Sequence, residues 1–250
     1  MSFEDDQRLS RIVTQWSMVQ RAHGDQQAVR AAQQALLERY GPAVRRYALA
    51  ALRSEDAADE VSQEFALRFV RGDFGKADPG LGRFRAFVKT VTYRLIVDYQ
   101  RRGKRAQRES PGDAVEYEAA EPIVNDDAND ELFRTSWRDE LLARTWQALE
   151  ADEQRTGKPY HTALKCRVDH PELRSPELAE ELTKRLGKPQ NSGAARVLVH
   201  RARDLFADLL LAEVIESLEE DSLDSAEEEL IELALLDYCK PALARRRGEE

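Results

Sequence analysis

Between residues 106 and 131 the chain offers almost nothing to bury, and that stretch divides whatever the rest folds into. It holds Ser110-Pro111-Gly112, a second proline at Pro122, and the run Asn125-Asp126-Asp127-Ala128-Asn129-Asp130. From 109 to 131 there are nine acidic residues and no basic one. Proline and glycine break helices and like charges repel, so 106–131 reads as a flexible acidic linker. A length of 250 residues leaves room for a small core on either side.

Outside that tract the texture is helical. Val, Ile and Thr never build the period-two alternation of a strand, whereas Ala, Leu, Glu, Arg and Gln recur at helical spacing. Helices are expected near 9–23, 25–52, 55–70, 84–104, 132–152, 159–168, 175–186, 192–215 and 225–239. Gly41-Pro42 should kink or split the second, because proline lacks an amide donor and disfavours helix just before it. The fold class is therefore all-α. It comprises an N-terminal helical domain (9–105), the linker, a second helical domain (132–215) and an acidic C-terminal extension (216–250).

The net charge of −9 argues at first against a nucleic-acid partner, but the charge is segregated. Residues 83–108 hold nine Lys/Arg against one acid, Asp98, and residues 184–203 hold six Lys/Arg and no acid. Residues 213–232 carry ten acids and no base. Two basic islands set among acidic segments are a better guide to partners than the sum. No run of about 18 apolar residues is present, so no membrane span is expected. Met1–Arg11 lacks the apolar stretch of a secretion signal, and Cys166 and Cys239 read as reduced thiols. The expected location is cytoplasmic.

The second basic island lies in a recognisable arrangement. Ser175 can cap a helix with Pro176 in its first turn, and Leu186-Gly187 can end it, since glycine tolerates the left-handed conformation of a helix stop. Asn191 or Ser192 can cap the next helix. Two helices joined by a short glycine-containing turn form a helix-turn-helix. At about 100° per residue, Ala195, Leu198, Val199, Ala202, Leu205, Phe206 and Leu209 share one side. Ser192, Arg196, His200 and Arg203 share the other, with Arg201 beside them, as a helix that enters a DNA major groove requires.

In the first domain, Ala58, Val61, Phe65 and Phe69 line one side of the 55–70 helix, while Asp59, Glu60 and Gln63 face away. In the 84–104 helix, Phe84, Phe87, Val88, Val91, Leu95 and Tyr99 form the buried stripe. Around it stand Arg85, Lys89, Tyr93, Arg94, Arg101 and Arg102, with Arg83 just before the helix. Cations interleaved with a flat ring suit melted DNA, whose phosphates take charge and whose unstacked bases take aromatic faces.

Taken together, these residues resemble the sigma-70 family, and within it the short extracytoplasmic-function (ECF) branch. Glu55-Asp56-Ala57-x-Asp59-x-Val61-x-Gln63-Glu64-Phe65 is similar to the family's polymerase-docking helix. Phe84-Arg85-Ala86-Phe87 through Ile96-Val97-Asp98-Tyr99-Gln100-Arg101-Arg102 is similar to its −10 element helix. Gly193-x-x-Arg196-x-x-Val199-His200-Arg201-Ala202-Arg203 resembles its −35 recognition helix, with a turn from Gly187 two residues longer than usual. Trp16-Ser17-Met18-Val19 and Ala77-Asp78-Pro79-x-x-Gly82-Arg83-Phe84 extend the resemblance. It implies bacterial RNA polymerase core and promoter DNA as partners, admits an anti-sigma factor, and needs no membrane and no cofactor. Asp59, Glu60 and Gln63 would then dock on polymerase. Arg83, Arg85, Lys89, Tyr93, Arg101 and Arg102 would hold the −10 strand, and Ser192, Arg196, His200, Arg201 and Arg203 would read the −35 duplex. The acidic linker would be a spacer or an RNA mimic within polymerase's basic channels, and the extension a brake, a regulator's dock or the completion of the second domain.

Little points to catalysis. His161, Cys166 and His170 lack the fourth ligand of a structural zinc site. No phosphate loop, nucleophile elbow or H-E-x-x-H occurs. The alternatives are a stand-alone helix-turn-helix regulator, a sigma-like adaptor that does not initiate, and an anti-sigma module acting through protein contacts alone. The basic-aromatic 84–104 helix separates the first reading from these, because a plain regulator needs no grip on melted strands.

Overall fold

A computed structural model describes residues 26–73, 84–109, 126–218 and 222–249. Among them are nine helices and no strand. They are α1 (Gln26–Leu52), α2 (Glu55–Arg71), α3 (Phe84–Glu109), α4 (Asp126–Thr156), α5 (Tyr160–Asp169), α6 (Ser175–Leu186), α7 (Ser192–Ser217), α8 (Leu223–Glu232) and α9 (Leu236–Arg247). The expected helix at 9–23 and the motifs at 16–19 and 77–83, Arg83 included, lie outside the described residues. The chain divides into two compact units. Unit 1 is Met1–Glu140 with Ser217–Asp221, and unit 2 is Leu141–Glu216 with Ser222–Glu250.

Unit 1 is built on α1, α2, α3 and the first half of α4. In α1, Leu36, Tyr40, Ala43, Val44, Tyr47 and Ala48 are buried at helical intervals. The helix runs unbroken through Pro42 rather than splitting at Gly41-Pro42. α2 has complete ends. Ser54 Oγ accepts from the Ala57 amide at 3.3 Å, Glu55 and Asp56 lie at the positive end of the helix dipole, and Arg68 and Arg71 lie at the negative end. Gly72 then stops it at φ 78°, and the Asp73 amide closes on the Arg68 carbonyl at 3.1 Å.

Aromatic rings fill the centre of this unit. Tyr40 meets Phe84 edge-on at 4.9 Å and stacks on Trp137 at 5.1 Å, while Tyr47 meets Phe133 edge-on at 5.3 Å. The Tyr47 hydroxyl donates to Asn129 Oδ1. Burial pushes that hydroxyl well above the usual tyrosine range, so it stays a donor. These contacts correct the expected linker of 106–131. α3 persists to Glu109, and α4 starts at Asp126 rather than near 132. Asn129, Phe133, Ser136, Trp137 and Glu140 are all buried in unit 1. Their spacing puts them on one helical face, and burying two large aromatic side chains outweighs the cost of ordering an acidic helix start.

In unit 2, Ala163 and Cys166 of α5, Leu178, Ala179 and Leu182 of α6, and Ala195 and Val199 of α7 form one core cluster. Leu149 of α4, Leu164 and Ala202 form a second, flanked by Trp146 and Phe206. α6 begins at Ser175 rather than being capped by it. The Glu177 carboxylate instead reaches back to accept from the Arg174 amide at 2.8 Å. Gly187 ends α6 at φ 63°, and Asn191 caps α7, its Oδ1 accepting from the Ala194 amide at 2.8 Å.

The C-terminal segment is two helices, not one spanning 225–239, and it belongs to unit 2 rather than forming a separate extension from 216. Leu230, Leu233, Leu235 and Leu243 are buried there. Cys239 Sγ lies 4.0 Å from the Ala207 carbonyl of α7, and Arg245 pairs with Asp208 at 2.7 Å. Arg247 ties α9 to α8 through Asp224 and Glu227. Both cysteines are buried free thiols, and burial raises the Cys239 pKa to about 12, which keeps it protonated and unreactive.

Candidate nucleic-acid interface

The α7 surface sorts as its periodicity requires. Ala195, Val199 and Ala202 turn into the unit 2 core, which leaves Arg196, His200, Arg201 and Arg203 exposed and Ser192 half-buried. Arg196 Nε donates to the Ser192 carbonyl at 3.3 Å, and His200 Nδ1 lies 3.3 Å from Asp204. Arg201 and Arg203 make no ion pair among the described residues. Cations on a rigid, well-packed helix are preorganised for phosphate or for a guanine edge.

On α3, Phe84, Val88, Thr92, Leu95 and Ile96 are buried, while Phe87, Val91 and Tyr99 sit at the edge of the core. Thr92 joins the buried set because its hydroxyl is satisfied by the Val88 carbonyl at 2.8 Å. Arg85, Lys89 and Tyr93 are half-buried, and Arg101 and Arg102 are exposed. Arg102 lies 5.9 Å over the Tyr99 ring. Lys89 and Arg102 have carboxylate partners that sequence reading missed. Lys89 Nζ reaches Asp130 at 2.7 Å, and Arg102 reaches Glu60 at 3.3 Å.

α2 presents Asp59, Glu60 and Gln63 to solvent, with Leu67 and Val70 further along it 49% and 55% exposed. Asp59 accepts from Arg45 Nε at 2.6 Å, and Glu55 also pairs with Arg45. The hydrogen bonds to Asp59 and then Glu55 push the Arg45 guanidinium above its ordinary value. The carboxylate-bearing face of α2 and the cationic face of α3 thus meet along the Glu60–Arg102 contact. A basic groove of about 390 Å³ beside it gathers Arg68, Arg101, Arg102 and Arg105 around Glu64 and Asp98. Arg45, Arg68 and Arg105 were not among the residues expected from sequence. Arg68 and Arg105 share one helical face each with expected residues, which is the signal that could have found them.

His161 packs edge-on to Trp146, Cys166 lies in the core and His170 stands beside Arg185. The described residues contain no group of three or more potential ligands that could hold a metal ion. No described helix is long and apolar enough to cross a membrane.

Among the described residues of unit 1, an acidic helix face thus lies against a cationic one. Residues 36–106, from within α1 to near the end of α3, match the family model Sigma-70 region 2. That segment is therefore similar to region 2 of the sigma-70 family, whose members are transcription-initiation factors. No curated protein and no solved structure matches it.

Proposed function

We propose that this chain is a sigma factor of the ECF type, which binds core RNA polymerase and directs it to promoters by holding two separate stretches of DNA. The juxtaposition of α2 and α3 within the matched region 2 segment carries the reading. Asp59, Glu60 and Gln63 present an acidic and polar face for docking on polymerase, where complementary charge sets orientation and encounter rate more than affinity. Arg83, Arg85, Lys89, Tyr93, Arg101 and Arg102 serve the melted −10 strand through phosphate contacts and stacking. α6, the turn 187–191 and α7 act as a helix-turn-helix, with Ser192, Arg196, His200, Arg201 and Arg203 facing the −35 duplex. A plain helix-turn-helix regulator would use unit 2 alone and leave the faces of α2 and α3 without work.

In-vitro transcription with core polymerase over a promoter library tests the whole reading. Run-off products that require the chain support it, and a chain that never co-elutes with core and yields no product sinks it. Asp59→Lys with Gln63→Lys should weaken polymerase binding about tenfold or more. The helical circular dichroism should be unchanged, since both sites are exposed. Unaltered polymerase affinity would remove α2 from the docking role.

Asp130 is expected to oppose the −10 strand, because it neutralises Lys89 on the same face. Asp130→Asn should strengthen binding of single-stranded DNA by a few-fold, the scale of a partly exposed ion pair of about 0–1 kcal/mol. Anisotropy of a labelled oligonucleotide at low salt measures this, and weaker binding would place the DNA elsewhere.

A further inference from the structure

The turn that precedes α6 and the reading face of α7 border one groove of about 510 Å³ in unit 2. Arg167, Arg174, Arg196 and Arg203 line it, together with Glu172 and His200. Four guanidinium groups therefore face a single carboxylate. That carboxylate is partly engaged already, Glu172 lying 3.6 Å from His170. Arg174 is exposed, and neither it nor Arg203 makes an ion pair among the described residues. Arg167 is committed differently. Its two terminal nitrogens donate to the carbonyls of Leu173 at 2.5 Å and Pro171 at 3.1 Å, so it braces the turn from α5 to α6 from inside the groove. Carbonyls carry no net charge, and Arg167 keeps its own positive charge there.

We propose that this groove seats a backbone phosphate of the duplex whose bases α7 contacts, with Arg174 as the phosphate ligand and Arg167 as the residue that positions it. The inference rests on the reading of unit 2 as a DNA binder and extends it to a segment outside the basic island at 184–203. The physical reason is divided labour. A reading helix alone can roll or slide in a groove, and phosphate contacts from a second element fix its register without carrying sequence information. Arg174 lies on a different element from Arg196 and Arg203 and faces the same space, which is the geometry such a clamp needs. The turn is held by the Glu177 carboxylate on the Arg174 amide and by the two Arg167 contacts, so the Arg174 side chain is presented from a fixed backbone. Glu172 works against the bound phosphate.

The test uses the full chain and a labelled random-sequence duplex, with anisotropy from about 50 to 300 mM salt and selection of bound sequences from the same random library. Losing one phosphate contact lowers the slope of log affinity against log salt by about 0.9, or roughly eightfold in affinity at 0.1 M and threefold at 0.3 M. Arg174→Ala should show that loss and still select the same sequences as the parent, because the helix cap at this residue uses its backbone amide. Arg196→Ala should change the selected sequences. Glu172→Gln should tighten binding and leave selection alone. An unchanged salt slope in Arg174→Ala, or a shifted selection, overturns the clamp even where Arg196→Ala behaves as expected. Failure of the parent chain to bind any duplex sinks the reading of unit 2 itself, a distinguishable result. For Arg167, the conservative Arg167→Lys should retain the charge and lose the paired carbonyl contacts. It is expected to reproduce the slope change of Arg174→Ala, and a parental slope would deny it the positioning role.

Discussion

Trp137→Ala is expected to destabilise unit 1 by about 3–5 kcal/mol, the scale of an aromatic side chain removed from a packed core. Trp137 is 1% exposed and stacks nearly parallel on Tyr40, whose ring in turn meets Phe84 at the start of α3. The cavity would therefore open between α1, α3 and α4 at once. The indole Nε1 is buried without a hydrogen-bond partner, so Trp137→Phe deletes an unsatisfied donor along with part of the ring and should cost less, about 1–2 kcal/mol. Hydrogen exchange is the suitable measurement, because a chain of two compact units need not unfold in one step. Protection should fall in α1 and α3 and hold in α6 and the first half of α7. A loss centred on α6 and α7 would show that this stretch of α4 serves unit 2 and not unit 1.

That experiment bears on the largest misreading of the sequence. The start of α4 was hidden by its charge, since Asn125 to Asp130 looks like solvated chain by composition. The contrary signal was present, because 129, 133, 136, 137 and 140 fall on one helical face and include Phe133 and Trp137. Composition and periodicity disagreed, and the buried aromatic area decided the outcome. On α2 the two agreed. Ala58, Val61, Phe65 and Phe69 were expected inside and are buried, with Ala57 beside them. α7 lies between these cases. Ala195, Val199 and Ala202 follow the expected stripe, but Leu205, Phe206 and Leu209 are only half-buried, and Ala207, Leu210, Leu211 and Val214 take over. A single stripe assumes one neighbour along the whole helix. α7 instead meets α5 and α6 at its start and α9 at Ala207 and Asp208.

The cationic faces were legible as faces, though not as charge balances. Lys89 and Asp130 are 41 residues apart, and Arg45 meets Asp59 across 14. No local pattern encodes such a pair, since it depends on how the helices pack. The same limit explains Arg174. Its charge sits ten residues before the basic island begins, and only the turn braced by Arg167 brings it to the groove beside Arg203.

Ending the chain at Asp221 is expected to cost unit 2 its cooperative fold and with it any grip on duplex DNA. The deletion removes the buried side chains of Leu230, Leu233, Leu235 and Leu243, each contributing about 1.5–3 kcal/mol when fully buried. It also uncovers α7 around Ala207 and strips Asp208 of Arg245. A domain with about 5–15 kcal/mol of total stability does not survive a loss of that size. Leu230→Ala, at about 2–5 kcal/mol, gives the graded version in a full-length chain. An appended brake predicts the opposite sign. If 222–250 covered the cationic face of α7, removing it would strengthen DNA binding and leave the fold of unit 2 intact. The contacts at Ala207 and Asp208 lie on the α7 stretch beyond Arg203, and Arg196, His200, Arg201 and Arg203 remain exposed with α8 and α9 in place. The direction of the change in duplex affinity on truncation therefore decides the role of the C-terminal helices, and a gain in affinity would overturn their assignment as part of the unit 2 core.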